Sequence, residues 1–132
     1  MNKIVEEISK IGIVPVIAID DVADALPLAK ALMDGGIPCA EVTFRTAAAE
    51  ESIRIMSEAY PDMLVGAGTV LNAEQVDAAV EAGATSVTIT DETGDALPED
   101  FASIVNKVKG VCVVDVLVQP TNKLSLFRQH PL

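Results

Sequence analysis

The chain has 132 residues, half of them hydrophobic, and its 20 acidic against 9 basic side chains give a formal net charge of −11. This length supports one domain with a core of ordinary size. The acidic excess repels phosphate backbones, and three Phe, one Tyr and no Trp leave few rings to stack on bases. Because no apolar run approaches the roughly 20 residues that span a bilayer, we expect a cytoplasmic protein with no nucleic-acid or membrane partner.

The cysteines predict neither a disulfide nor a metal site. Cys39 and Cys112 lie far apart, each inside an apolar run, and neither has a second cysteine or histidine at metal-binding spacing. Two buried thiols are therefore expected, with no metal and no cofactor.

Short β-branched runs alternate with segments of helical pattern along the chain. The runs cover residues 11–19, 38–44, 63–66, 85–90 and 111–118, and the helical segments cover 21–33, 47–59, 72–83 and 98–109. This order predicts an α/β fold of about five βα units with a parallel sheet, in a single domain of residues 1–132. Residues 121–132 have room only to begin a fifth helix.

Glu41 is a polar residue inside a predicted strand, at a position where burial alone favours an apolar side chain. Alternation puts Cys39, Glu41 and Thr43 on one face of the second run. A carboxylate inside a covered sheet costs several kcal/mol unless it is paired or protonated, and such a group is suited to general acid/base chemistry. A solvent-facing residue on an edge strand is the alternative.

Two further candidates follow strand ends, where ligands of parallel sheets bind. Arg45 could clamp a substrate carboxylate through its planar fork or form a structural ion pair with Glu41. Gly66 and Gly68 allow a ligand close to the backbone, and Thr69 adds a hydroxyl there. A tight turn between strand and helix also explains these glycines.

Residues from about 12 to 85 closely resemble the N-terminal half of the 2-keto-3-deoxy-6-phosphogluconate aldolases, a family that overlaps with the 4-hydroxy-2-oxoglutarate aldolases. The shared motifs are Val14-Pro15-Val16-Ile17, Leu28-Ala29-Lys30-Ala31-Leu32, Gly35-Gly36-Ile37, Glu41-Val42-Thr43-Phe44-Arg45-Thr46, Val65-Gly66-Ala67-Gly68-Thr69-Val70-Leu71 and Ala82-Gly83-Ala84. The resemblance implies a trimeric (β/α)₈ barrel that cleaves a phosphorylated 2-keto sugar acid to pyruvate and glyceraldehyde 3-phosphate through a lysine Schiff base. It also implies that Glu41 is the general acid/base, that Arg45 binds the pyruvate carboxylate and that Thr69 contacts the substrate.

Residues 86–132 depart from this pattern. Neither the Ser-Pro-Gly turn expected after the fourth strand nor the Lys-Phe-Phe-Pro motif of the sixth strand occurs, and the later glycine loops that hold phosphate are also missing. Lys123, just past the fifth run, is the remaining candidate nucleophile. The sequence therefore predicts a divergent or replaced C-terminal part.

Two architectures and two functions stay open at this point. The sheet is either part of an aldolase barrel or an open flavodoxin-like sheet, and a partial barrel would leave strand edges and an apolar face uncovered, which favours a homo-oligomer. Functionally, the chain is either an aldolase acting on a small 2-keto acid or a catalytically silent structural domain, natural or designed, that derives from one. We expect this chain to be catalytically incomplete.

Overall fold

The computed structural model of the protein describes residues 3–91, 112–117 and 126–130, with side chains described for residues 3–89. In chain order the elements are α1 (Lys3–Ile11), β1 (Val16–Ile17), a 3₁₀ turn (Val22–Asp24), α2 (Ala25–Asp34), β2 (Cys39–Thr43), α3 (Ala49–Ala59), β3 (Leu64–Val70), α4 (Ala73–Glu81), β4 (Ser86–Asp91), β5 (Cys112–Leu117) and β6 (Leu126–His130). Every helix in these ranges is too short or too polar to cross a bilayer.

The strands of the described residues form one sheet in the order β1-β2-β3-β4-β5-β6. The pairs from β1 to β5 are parallel, which confirms the predicted α/β fold. A flavodoxin-like sheet places β1 inside the sheet and reverses the strand order at that point. Because the order here never reverses, the sheet is that of a partial barrel, and the open flavodoxin-like alternative is wrong.

Side-chain hydrogen bonds and a left-handed glycine set the two ends of α4. Asn72 caps α4, since its Oδ1 accepts from the backbone N of Gln75 at 2.9 Å, and Gln75 Oε1 accepts in return from Leu71 N at 2.8 Å. Gly83, at φ +97°, follows the helix as its left-handed end. The predicted helix of residues 72–83 is thus confirmed at both ends.

The first and third runs differ from their predicted extents. Residues 3–11 form a helix that we did not predict, and Gly12 at φ +86° ends it, which leaves only Val16–Ile17 of the run 11–19 as strand. The third strand continues past Gly66 to Val70 through a bulge between Ala67 and Val70. Gly66 and Gly68 suggested a turn, but both lie within this strand.

The C-terminal segment corrects a further expectation. Residues 126–130 form β6, which pairs antiparallel with β5, and not a fifth helix. Only residues 118–125 separate the two strands, fewer than the dozen or so that a parallel crossover requires. The predicted helix over residues 98–109 lies outside the described residues.

The core lies between the helices and one face of the sheet, which we call the outer face. It is built from alternate strand residues and the inward stripes of α2, α3 and α4: Ala40, Val42, Val65, Ala67, Val87 and Ile89 from the strands, with Ala25, Ala29, Ile53, Met56, Val76 and Ala79 from the helices. Small alanines on the helices let them pack close to the sheet. The opposite face of the same strands, the inner face, is left for polar groups.

Candidate functional site

The inner face carries Cys39, Glu41 and Thr43 from β2, Gly66 and Gly68 from β3, and Ser86 from β4. The parallel register pairs Glu41 with Gly66, Thr43 with Gly68 and Gly66 with Ser86, which places all of these residues on one face. The predicted face for Cys39, Glu41 and Thr43 follows this register.

Glu41 lies in the interior of the sheet, because β2 has β1 on one side and β3 on the other. Its backbone N donates to Pro15 O at 2.8 Å, and its side chain is half-buried. The alternative of a position on an edge strand is therefore wrong. A single carboxyl group occupies a position that packing alone would give to an apolar side chain.

Gly68 makes the room that the Glu41 side chain occupies. A methyl group at Gly68 would lie 2.6 Å from Glu41 Oε1, 2.8 Å from its Cδ and 2.9 Å from its Cγ, all closer than real Cβ contacts. Gly66 and Gly68 both lie within β3, so the tight-turn interpretation of these glycines is wrong. Gly68 keeps the Glu41 carboxyl group over the neighbouring strand.

Thr69 follows Gly68 in a left-handed conformation, at φ +53°. A β-branched residue rarely adopts this region, since its Cβ crowds the backbone. The strain coincides with the bulge of β3, and bulges of this kind redirect side chains at the ends of strands. Thr69 is half-buried there.

Arg45 is exposed beyond the end of β2. The hydrogen bond from Phe44 N to Gly68 O at 2.8 Å joins the two strands just before Arg45 and Thr69, so both residues follow the same point of the sheet. Thr43 Oγ1 donates to Ile17 O at 3.2 Å, which ties the end of β2 to β1. Arg45 makes no ion pair with Glu41, so the structural ion-pair alternative is wrong.

Cys39 is a buried free thiol at the start of β2. Its Sγ donates to Ile13 O at 3.1 Å, and burial raises the pKa of the thiol. A thiol in this state is a poor nucleophile, because the thiolate is the reactive form. The predicted buried thiol is confirmed for Cys39, whereas the side chain of Cys112 lies outside the described residues.

The lysines of the described residues lie away from Glu41. Lys3 and Lys10 line a cleft that also includes Pro38 and Leu64, at the amino ends of the strands. Lys30 on α2 is exposed and donates to Asp34, and this hydrogen bond raises the pKa of its ammonium group. An amine that attacks a carbonyl needs the opposite shift. The candidate nucleophile Lys123 lies outside the described residues.

Ser86 is an inner-face residue that the sequence did not single out. A methyl group at Gly66 would lie 2.3 Å from Ser86 Oγ, so the hydroxyl fills the space above that glycine. A serine in a predicted strand carries no signal by itself. Only the register of β3 with β4 brings it into line with Glu41.

The fold and this face define an α/β protein of partial-barrel type with a carboxyl group on the inner face of its sheet. The family model of the KDPG and KHG aldolases matches residues 4–119. The chain belongs to this aldolase family. The match extends past the residues 12–85 of the motif resemblance on both sides, and it includes residues 86–119, which we expected to diverge.

Individual relatives agree with this assignment. The chain is 48% identical over 84 residues to a 2-dehydro-3-deoxy-phosphogluconate aldolase of Treponema pallidum, covering 64% of this chain and 40% of the relative. A Pseudoalteromonas atlantica aldolase of the same name is 39% identical over 107 residues, covering 81% of this chain and 50% of the relative. The chain thus spans at most about half the length of these relatives.

A solved structure shows the same fold. The KDPG aldolase from Legionella pneumophila, with pyruvate captured as a covalent carbinolamine intermediate, superposes with a TM-score of 0.66 at 34% identity. The superposition covers 77% of this chain and 47% of the other.

Proposed function

We propose that this chain is a Schiff-base aldolase that cleaves 2-keto-3-deoxy-6-phosphogluconate to pyruvate and glyceraldehyde 3-phosphate in the cytoplasm. This proposal replaces our expectation of a catalytically incomplete chain, which depended on the departures in residues 86–132, because the family match includes residues 86–119. The observation that carries this proposal is the Glu41 carboxyl group, held over Gly68 on the inner face of an interior strand. Membership in the KDPG and KHG aldolase family supports it. A purely structural sheet would gain nothing from a half-buried carboxyl group at this position.

The roles of the residues follow from their chemistry. Glu41 is the general acid/base, since a carboxyl group held on the inner face can accept a proton from a bound substrate and return it. Arg45 offers two parallel N–H donors to the pyruvate carboxylate. Thr69 offers a hydroxyl beside them, at the bulge where β3 ends.

The reaction begins when a lysine amine attacks the C2 carbonyl of the substrate and water leaves, which forms the iminium. Glu41 then accepts the C4 hydroxyl proton, the C3–C4 bond breaks, and its electron pair moves into the iminium to give an enamine and the aldehyde. Glu41 returns a proton to C3, and hydrolysis releases pyruvate. The iminium formed on the lysine nitrogen accepts the electron pair, so this scheme needs no separate cofactor.

Lys123 is our candidate for that lysine. It follows the fifth strand in sequence, and the residues that follow parallel strands are where this class of fold binds its ligands. The three lysines of the described residues suit this role less well, because Lys3 and Lys10 lie at the amino ends of the strands and Lys30 pairs with Asp34.

Self-association belongs to the same proposal. Val16 is 66% exposed on the inner face, as the register partner of Glu41, and among the described strands β1 pairs with β2 alone. An uncovered apolar residue on an edge strand favours contact with another chain. We therefore expect a homo-oligomer.

Borohydride reduction in the presence of pyruvate tests the proposal directly. The full chain should gain the mass of one reduced pyruvate adduct, and peptide mapping should place it on Lys123. Lys123→Ala should abolish the adduct, while Lys30→Ala, which removes an exposed lysine of α2, should leave it unchanged. No adduct on the wild-type chain would contradict the aldolase proposal, whereas an adduct that persists in Lys123→Ala would assign the nucleophile elsewhere.

A further inference from the structure

The strand β1 has one side that no described strand pairs with. Among the described strands it pairs with β2 alone. Four alternate carbonyl groups of the surrounding segment accept hydrogen bonds from β2 or from the residues just after it, namely those of Ile13, Pro15, Ile17 and Ile19. This alternation indicates that extended backbone continues beyond Val16–Ile17 on both sides.

The residues between these carbonyl groups direct their backbone to the opposite side. In extended backbone the N–H and C=O groups of one residue point to the same side, and those of its neighbours point to the other. The N–H and C=O groups of Val14, Val16 and Ala18 therefore line the unpaired side of β1, which we call the β1 edge. Val16 and Ala18 are exposed there, and Val14 is half-buried.

The β1 edge lacks the features that usually keep edge strands from pairing. Such strands are protected by lysine, by other charged side chains or by proline. Residues 11–19 include no charged side chain. Pro15 has no N–H group, but it is one of the residues that face β2, so the three residues of the β1 edge all keep their donors. The edge can thus pair with a further strand.

A second copy of β1 fits this edge when it runs antiparallel. With a two-fold axis at Val16, this residue lies opposite the partner's Val16, and Val14 lies opposite the partner's Ala18. Each of these pairs exchanges both N–H···O bonds, because every residue in them has its backbone groups on the edge. The β1 edge is therefore complementary to itself, as a two-fold contact requires.

Charge favours the antiparallel direction over the parallel one. Asp20 and Asp21 follow the segment directly, and each copy carries a net charge of −11. A parallel pair in register would place the Asp20 carboxyl groups of the two copies side by side, which is unfavourable. The antiparallel pair places them at opposite ends of the contact, roughly 27 Å apart.

We infer that two copies of the chain pair through their β1 edges, in an antiparallel register centred on Val16, and so form one continuous sheet. This inference rests on the homo-oligomer expected under the proposed function and names the contact that forms it. It does not depend on the aldolase reaction. Because one pair of short strands buries a small area, the dimer should exchange with the monomer and depend on protein concentration.

Disulfide cross-linking tests the register. In a Cys112→Ser background the remaining native thiol, Cys39, is buried. Val16→Cys places two thiols on facing residues whose Cα atoms lie about 5.5 Å apart, within the range of a disulfide, so mild oxidation should give a covalent dimer. Ile13→Cys is the matched control, because Ile13 is 57% exposed but lies roughly 20 Å from its copy in this register. The control should stay mostly monomeric.

Proline at the centre of the edge tests the backbone contact. Val16→Pro removes an N–H group that points away from β2, so the fold should persist, which circular dichroism checks. In the dimer each copy loses one central hydrogen bond, and the dissociation constant from sedimentation equilibrium should rise at least about tenfold. Val16→Thr keeps the N–H group and the branched side chain, and it should dimerise like the wild type.

The outcomes separate this contact from other modes of association. Equal cross-linking of the two cysteine variants would overturn the inference, and so would a folded Val16→Pro chain that dimerises as tightly as the wild type. Equal weakening by Val16→Pro and Val16→Thr would assign the contact to side chains and also overturn it. A wild-type chain that is monomeric at every concentration would overturn the inference together with the expected homo-oligomer, whereas borohydride trapping of pyruvate decides the aldolase reaction separately.

Discussion

The position of the Glu41 carboxyl group depends on Gly68 of the neighbouring strand, which has no side chain. A carboxyl group on an interior strand could turn in several directions, and the vacant Cβ position of Gly68 selects the one over β3. The pair therefore acts as a unit, in which the glycine fixes where the carboxyl group lies. The Gly-x-Gly motif does not form a turn, and its second glycine, Gly68, makes room for Glu41.

Gly68→Ala should displace Glu41 and lower the rate of substrate cleavage by about 100-fold, as a misplacement of about 1 Å does. The backbone of Gly68 is not left-handed, so alanine fits its conformation and the fold should persist. Steady-state cleavage and thermal unfolding measure the two effects. Gly35→Ala, at the end of α2, is the matched control and should leave cleavage unchanged. Wild-type cleavage by Gly68→Ala would contradict this role.

Ser52 is a buried polar residue whose hydroxyl lowers the stability of the fold. It is fully buried on α3, and its Oγ has no hydrogen-bond partner among the described residues. An unsatisfied buried hydroxyl costs about 1 to 3 kcal/mol. The buried hydroxyl of Ser52 therefore reduces the free energy of unfolding.

Ser52→Ala should raise the free energy of unfolding by about 1 kcal/mol, which corresponds to a rise in Tm of about 4 °C. Ser57→Ala on the same helix removes a hydroxyl that has a partner, Gly83 O, and should not raise Tm. Calorimetry of the two variants side by side checks this prediction. A lower Tm for Ser52→Ala would show that the hydroxyl is satisfied in solution.

Among the secondary-structure elements, the alternation of residues along a strand predicted which residues share a face better than it predicted where the strands begin and end. The pattern of residues 38–44 correctly placed Glu41 with Cys39 and Thr43, because period-two burial is visible in sequence. The bulge of β3 was not predictable, since it depends on pairing with β4. Ser86 was missed for the same reason.

Local sequence signals predicted the helix α4 but not the strand β6. The Asn72 cap and Gly83 carry local signals, so α4 was predicted at both ends. The strand β6 was not predicted, because its direction follows from the short connection to β5 and from sheet pairing, which local sequence does not encode.

Thr69 is the strained point of β3. Glycine adopts φ +53° freely, so Thr69→Gly should increase the free energy of unfolding by about 0.5 to 1 kcal/mol after its greater loss of chain entropy. If its hydroxyl contacts the substrate, the same variant should cleave more slowly. Thr85→Gly, at a backbone that is not left-handed, should lose stability. Denaturant unfolding compares them, and equal destabilisation of the two variants would argue against strain at Thr69.

For the whole molecule, the sequential strand order and the partial-barrel sheet set the main question, which is what covers the inner face. Under the proposed function the substrate is an anion, whose approach the net charge of −11 opposes, so we expect binding to rely on local groups such as Arg45. Copies of the chain repel each other because they carry this same charge, so we expect them to associate only through surfaces that bury apolar residues. Val16 is an exposed apolar residue that such a surface could include.

If Val16 lies in the expected contact between copies, Val16→Asp should shift the protein toward the monomer, because it introduces a negative charge there on each copy of an acidic chain. Light scattering coupled to size-exclusion chromatography, over a range of concentrations, measures this change. Leu26→Asp, on the outside of α2 where Leu26 is 48% exposed, is the control and should leave the association unchanged. A wild-type chain that is monomeric at every concentration would contradict the expected homo-oligomer.

Pyruvate release from 2-keto-3-deoxy-6-phosphogluconate by the purified full chain decides whether the protein is an aldolase that uses Glu41. The wild-type chain should release pyruvate, and Glu41→Gln, which keeps the shape of the side chain and removes its acid/base function, should be at least about 100-fold slower. A wild-type chain that releases no pyruvate above the uncatalysed rate, or a Glu41→Gln variant that matches it, would contradict the account.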